Sequence, residues 1–110
     1  MEIQTRKEKN GLVVTVNGRM DAVTAPKVEV SLTELITQGE KWFLLDFSGL
    51  EYISSAGLRS LLVLAKKLKP LEGELLLAGI QGPVDEVFKI SGFHSIFKIA
   101  DSLEAALLQF

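Results

Sequence analysis

Short β-branched or apolar runs alternate with helix-period segments along the whole chain, and this alternation limits the fold more than any other feature. Leu12–Val16 (LVVTV), Lys41–Phe47 (KWFLLDF) and Glu74–Ala78 (ELLLA) are the runs. They have strand length, and nearly continuous apolar character suits strands that lie centrally or are covered on both faces. Between and after them, apolar residues recur at helical spacing. Val28, Leu32, Leu35 and Ile36 form one such face, and Leu58, Leu61, Leu62, Ala65 and Leu68 a second. Val84, Val87 and Phe88 form a third, and Leu103, Ala106 and Leu107 a fourth.

Turn chemistry sets the boundaries. Glu2–Arg6 reads as a short edge strand, and Asn10-Gly11 is a hairpin pair, so the first two strands are expected antiparallel. Gly18 breaks the second strand. A helix starts near Thr24 with Pro26 in its first turn, where a missing N–H costs nothing, and Gly39 stops it. Ser48–Tyr52 reads as a loop before a helix over Ser55–Lys69, which Pro70 ends. Arg59, Lys66 and Lys67 face water on that helix. Gly79–Gly82 turns, Pro83 opens a third helix, and Ser91-Gly92 closes it, with Phe93 placed to pack back. Ile96–Ile99 is the last strand, and Asp101 with Glu104 has capping-box spacing for the last helix.

The order β-β-α-β-α-β-α-β-α defines an α/β fold. It predicts a mixed, mostly parallel sheet of about four or five strands, about four helices and an N-terminal antiparallel hairpin. Four loops then share one sheet edge: Met20–Thr24, Ser48–Ser55, Gly79–Pro83 and Ala100–Asp101. In open α/β sheets that edge is where ligands and partners bind.

A length of 110 residues is expected to form one domain over 1–110. The net charge of −2 leaves no basic excess for phosphates, which argues against nucleic acid as a partner. No cysteine is present, so disulfides and thiolate metal sites are excluded. The N-terminus MEIQTRKEKN has no leader pattern, and no apolar run approaches the roughly 20 residues that span a bilayer. The expectation is a cytoplasmic protein without membrane insertion.

Enzyme chemistry finds no support. Ser54-Ser55-Ala56-Gly57 is not G-x-S-x-G, and His94 is the only histidine to serve as a base. A zinc site at His94 would lack nitrogen and sulfur partners. Neither glycine-rich phosphate motif occurs, so no cofactor is expected. Lys66, Lys67 and Lys69 read as a solvated helix end that complements the helix dipole.

One stretch carries the functional reading: Asp46-Phe47-Ser48-Gly49-Leu50-Glu51-Tyr52-Ile53-Ser54-Ser55-Ala56-Gly57-Leu58-Arg59. Two serines precede a helix. A serine there caps a free N–H, a structural role that needs no further function. The same position tolerates a phosphoryl group, because a helix N-terminus carries unpaired N–H groups and partial positive charge. On this reading Gly57, lacking a side chain, leaves the backbone open to a partner. Asp46, at the end of a buried strand, reads as a structural acceptor in preference to an acidic feature of the site, and Asp21 as either a loop-capping residue or a partner contact.

The stretch D-F-S-G-L-E-Y-I-S-S-A-G-L-R resembles the signature loop of STAS domains, the family named for sulphate transporters and anti-sigma-factor antagonists. G-R-M-D-A-V-T-A-P at Gly18–Pro26 and the tail from Ser91 to Leu107 are also similar to the family. The resemblance implies a partner switch and not an enzyme. The unphosphorylated protein binds an anti-sigma factor that is a serine kinase, phosphorylation of one loop serine releases it, and a serine phosphatase resets it. Laid on the D-S-[ST]-G pattern, the phosphoacceptor is Ser55, with the adjacent Ser54 as the alternative. Ser54 stands at the aspartate position and Ala56 at the second Ser/Thr position, both departures from the pattern. The implied docking set is Asp21, Thr24, Tyr52, Ser54, Ala56, Gly57, Leu58 and Arg59. The family also includes modules that bind nucleotides or other small ligands, and parts of membrane transport systems, which remain alternatives.

Overall fold

A computed structural model describes residues 1–109. Strand β1 (Glu2–Glu8) pairs antiparallel with β2 (Gly11–Met20), as the hairpin signal predicts. The turn centres on Lys9-Asn10, one residue earlier than expected, because Gly11 already pairs with Glu8. Strands β3 (Trp42–Asp46), β5 (Glu74–Ala78) and β6 (Lys98–Ala100) extend the sheet in parallel, in the order β1-β2-β3-β5-β6. A further strand, β4 (Leu50–Ile53), pairs with β2 off this path, which makes six where about four or five were expected. The additional strand is the segment read as a loop.

The apolar runs are two-faced in the structure. Leu12, Val14, Phe43, Leu45, Leu75 and Leu77 point into the larger core, with Val28 and Leu32 of α1 (Ala25–Thr37), Leu58, Leu61, Leu64 and Leu68 of α2 (Ser55–Leu68), and Val84 and Phe88 of α3 (Gly82–Ser91). The alternate residues Val13, Leu44 and Leu76, with Ala78 and Ala100, form a second core under Ala106 of α4 (Leu103–Gln109). Period-2 side-chain direction turns each run into contacts on both faces.

Two terminal features differ from expectation. The last strand begins at Lys98; Ile96 is exposed, in the exit from a 3₁₀ turn over Phe93–Ser95, and Phe97 is the residue that enters the core. The Phe93 ring lies 6.0 Å from that of Phe97, beyond the helix on which it was expected to pack. The last helix is capped by Ser102, whose Oγ accepts from the Ala105 N–H at 3.1 Å, and not by Asp101.

Gly18 does not end β2. It takes φ +98, a bulge falls between Gly18 and Arg19, and the strand runs on to Met20. That backbone conformation is strained for residues with a side chain, and a bulge bends a strand and re-aims its pairing. Before the bulge β2 pairs β3; from Gly18 onward it pairs β4, with Arg19 opposite Tyr52 and Met20 opposite Ile53. The loops after β2 and β4 therefore leave the sheet side by side.

Candidate functional site: the edge after β2 and β4

Ser54 follows β4 and is the N-cap of α2, in extended backbone geometry. Its Oγ accepts from the Gly57 N–H at 3.4 Å, a long bond, and its own N–H donates to the Met20 carbonyl at 2.9 Å. Ser55 is the first helical residue and is exposed. Among the described residues nothing hydrogen-bonds its hydroxyl. The sequence left the cap open between the two serines; the structure gives it to Ser54 and leaves the Ser55 hydroxyl without a bond.

Gly57 requires a correction. It is buried, and it is not an open approach to the backbone. A Cβ there would lie 2.6 Å from Ile53 Cγ1 and 2.9 Å from the Met20 carbonyl oxygen, so the absent side chain is what lets α2 seat against β2 and β4. Leu58 is likewise turned into the larger core, which removes it from the accessible surface, and Ala56 is half-buried against the same core. Arg59 is exposed, one helical turn beyond Ser55.

The neighbouring loop is tightly cross-linked. Asp21 Oδ1 accepts from the backbone N–H groups of Val23 (3.0 Å) and Thr24 (3.1 Å), and the Asp21 N–H donates to Thr24 Oγ1 at 2.8 Å. The Thr24 hydroxyl donates to the Arg19 carbonyl at 2.7 Å. The Thr24 backbone N–H is the main cause that holds the Asp21 carboxyl below its ordinary pKa; the Thr24 hydroxyl, the Val23 N–H and the Arg19 charge add to it, and partial desolvation opposes it. Thr24 is the backbone N-cap of α1 but gives no side-chain capping bond, and the Asp21 carboxylate bonds the N–H groups just ahead of the helix.

Tyr52 stands on β4 with the Arg19 guanidinium 4.2 Å from its ring centroid, a cation–π contact. Arg19 Nε is also 3.9 Å from Asp21 Oδ2. Arg19 thus joins the two loops, and Val23 beside it is 73% exposed. Sequence reasoning placed neither in the docking set. Their signal was present but weak: a large apolar residue and a cation in the predicted edge loop and the strand leading to it.

Other candidates fall into structural places. Asp46 is buried, and its Oδ1 accepts from the Ser48 N–H at 3.1 Å, as expected of a structural acceptor. His94 Nε2 lies 3.2 Å from Asp85 Oδ1, and Lys89 bonds the other carboxylate oxygen at 3.0 Å. That Lys89 bond, then His94, hold the Asp85 carboxyl below its ordinary range. Among the described residues no group of three or more metal-ligating side chains converges. A surface cavity of about 410 Å³ is lined by Asn10, Trp42, Glu74 and Gln109 and includes no residue of the serine loop. No described helix is long and apolar enough to cross a membrane.

The sheet topology, the bulge-directed edge and the serine-led helix together describe a STAS domain, and residues 2–106 match that family's pattern; the chain belongs to the STAS-domain family. It is 41% identical over 110 residues to a Bordetella bronchiseptica protein, BtrV, to which the role of anti-sigma factor antagonist is ascribed, covering 100% of this chain and 95% of that one. An anti-sigma factor antagonist from Mycobacterium paratuberculosis superposes with a TM-score of 0.87 at 25% identity, over 98% of this chain and 92% of the other. The phosphorylated form of the Bacillus cell-fate determinant SpoIIAA superposes with a TM-score of 0.74 at 20% identity, over 99% and 100%. The chain thus shares family and fold with anti-sigma factor antagonists.

Proposed function

We propose that this chain is an anti-sigma factor antagonist that docks an anti-sigma serine kinase through the edge after β2 and β4 and is released when Ser55 is phosphorylated. A serine phosphatase restores the binding form. The observation that carries the reading is the free, exposed Ser55 hydroxyl beside a neighbour that already supplies the helix cap. A kinase can take Ser55 without removing a bond on which the fold depends.

Charge supplies the switch. A phosphoryl group adds about −1.5 to −2 units at neutral pH, and the N-terminus of α2 tolerates it. The same group on a docking surface meets desolvation cost and any like charge across the interface. Of the implied docking set, Asp21, Thr24, Tyr52, Ser54, Ala56 and Arg59 keep at least partial exposure. Gly57 and Leu58 act by holding α2 in place. ATP is consumed by the kinase; this chain contributes the acceptor hydroxyl and the surface.

The test is incubation with candidate anti-sigma kinases and ATP, followed by mass spectrometry of intact protein and peptides. One phosphate on Ser55 is expected, with Ser55→Ala abolishing it and retaining binding. Ser55→Asp should weaken binding; if it binds every cognate kinase as tightly as the wild type, the proposal fails.

A further inference from the structure

The cations near Ser55 differ in what they already hold. Arg19 is engaged by the Tyr52 ring and approaches Asp21. Lys66 and Lys67 lie in the last turn of α2. At about 1.5 Å rise per residue, they are roughly 16 Å or more along the axis from Ser55. Arg59 is exposed and, among the described residues, its side chain has no ion pair, hydrogen bond or ring contact.

We infer that Arg59 is the internal partner of a phosphoryl group on Ser55, so that phosphorylation withdraws a free cation from the docking edge as well as adding an anion. The inference rests on Ser55 being the modified residue. Both side chains belong to α2, four positions apart. Residues at that spacing are neighbours on the helix surface, with Cβ atoms about 5–6 Å apart. Helical side chains lean toward the N-terminus, so the guanidinium of the later residue extends over the earlier one. Arginine also presents a planar fork of donors that meets two phosphate oxygens at once.

The consequence is a change of sign. Unphosphorylated, this turn of α2 offers one unpaired positive charge. Phosphorylated, Arg59 and a group of about −1.5 to −2 sum to about −0.5 to −1, with the guanidinium turned inward onto the helix. A partner carboxylate paired with Arg59 loses its contact and faces an anion in its place.

The experiment places phosphoserine at position 55 by genetic encoding, so no kinase is needed, and compares wild-type, Arg59→Gln and Arg19→Gln backgrounds. Two readings are taken: the melting temperature with and without the phosphoryl group, and the Arg59 side-chain Nε–H resonance. Phosphorylation is expected to shift the Arg59 resonance downfield. Its effect on melting temperature should be less favourable by about 2–4 °C in Arg59→Gln, while Arg19→Gln keeps the wild-type response. An unmoved Arg59 resonance, or a phosphorylation effect lost with Arg19 and kept without Arg59, overturns the inference. Failure of every kinase to mark Ser55 would sink the proposed function but leave this result readable, and an indifferent Arg59 would leave kinase marking of Ser55 intact.

Discussion

The two loops that leave the sheet side by side after β2 and β4 are built in opposite ways. In the loop from Asp21 to Thr24 the polar side chains are engaged: Asp21 accepts from two backbone N–H groups, and the Thr24 hydroxyl both accepts from Asp21 and donates to Arg19. In the serine loop the Ser54 hydroxyl makes a single cap bond of 3.4 Å, and the Ser55 hydroxyl has none. The contrast separates a fixed reference from a free group. The Asp21 loop sets the shape of the edge, and the serine loop carries an exposed hydroxyl that no bond ties to that shape. Gly57 lets both coexist, because α2 approaches the Met20 carbonyl closely enough to leave no room for a Cβ.

The largest effect is expected from Gly57→Ala. In an open helix position the exchange would stabilise by up to about 1 kcal/mol, through better helix propensity. Here the added methyl meets Met20 backbone and Ile53 well inside contact distance. Overpacking of that kind costs about 1–3 kcal/mol, which corresponds to a melting temperature lower by roughly 5–15 °C. A calorimetric or circular-dichroism melt decides the sign. A more stable Gly57→Ala protein would mean that α2 is not seated against β2 as described, and the division between the two loops would go with it.

A smaller effect belongs to the Asp21 side and appears only in acid. The Asp21 carboxyl titrates below its ordinary value of 3.8 when folded, chiefly because the Thr24 N–H bonds the ionised form. Its contribution to stability is therefore complete above the unfolded value and disappears as pH falls through the lower folded one. Melting temperature in Asp21→Asn should fall less steeply than wild type between about pH 5 and pH 2. Asp85 is also shifted downward, so the variant retains part of the acid sensitivity, and the difference between the two curves isolates Asp21. Parallel curves would show that the Asp21 loop owes nothing to its ionised carboxylate.

The alternating runs made the sheet's centre readable, because residues buried on both faces need no knowledge of what covers them. Glu74–Ala78 and the start of α2 at Ser55 were found with their observed bounds. What stayed hidden depends on pairing between distant residues. Leu50–Ile53 has two exposed residues between two buried ones, a pattern too short and too polar to announce a strand beside Ser48-Gly49. Gly18 reads as a break, since nothing local distinguishes a glycine that ends a strand from one that bulges it and hands it to a new neighbour. That transfer creates the Arg19–Tyr52 contact and the crowding at Gly57. The site's serines were legible as a helix start and Leu58 as part of the buried face of α2, but the burial of Gly57 was not.

The smallest effect separates the two serines. Ser54→Ala removes the side-chain acceptor of the α2 N-cap, and such losses cost about 0.5–2 kcal/mol. The 3.4 Å length of the bond to the Gly57 N–H places this case near the lower end, about 0.5 kcal/mol. Ser55→Ala removes an exposed hydroxyl with no bond and should fall within about 0.5 kcal/mol of zero, with a gain in helix propensity as the favourable component. Urea midpoints measured on both variants at equal m-value resolve the order. Equal losses, or a larger one at Ser55, would mean that Ser55 also serves the fold. Its phosphorylation would then disturb the helix it starts, and the separation between a fixed loop and a free hydroxyl would not hold.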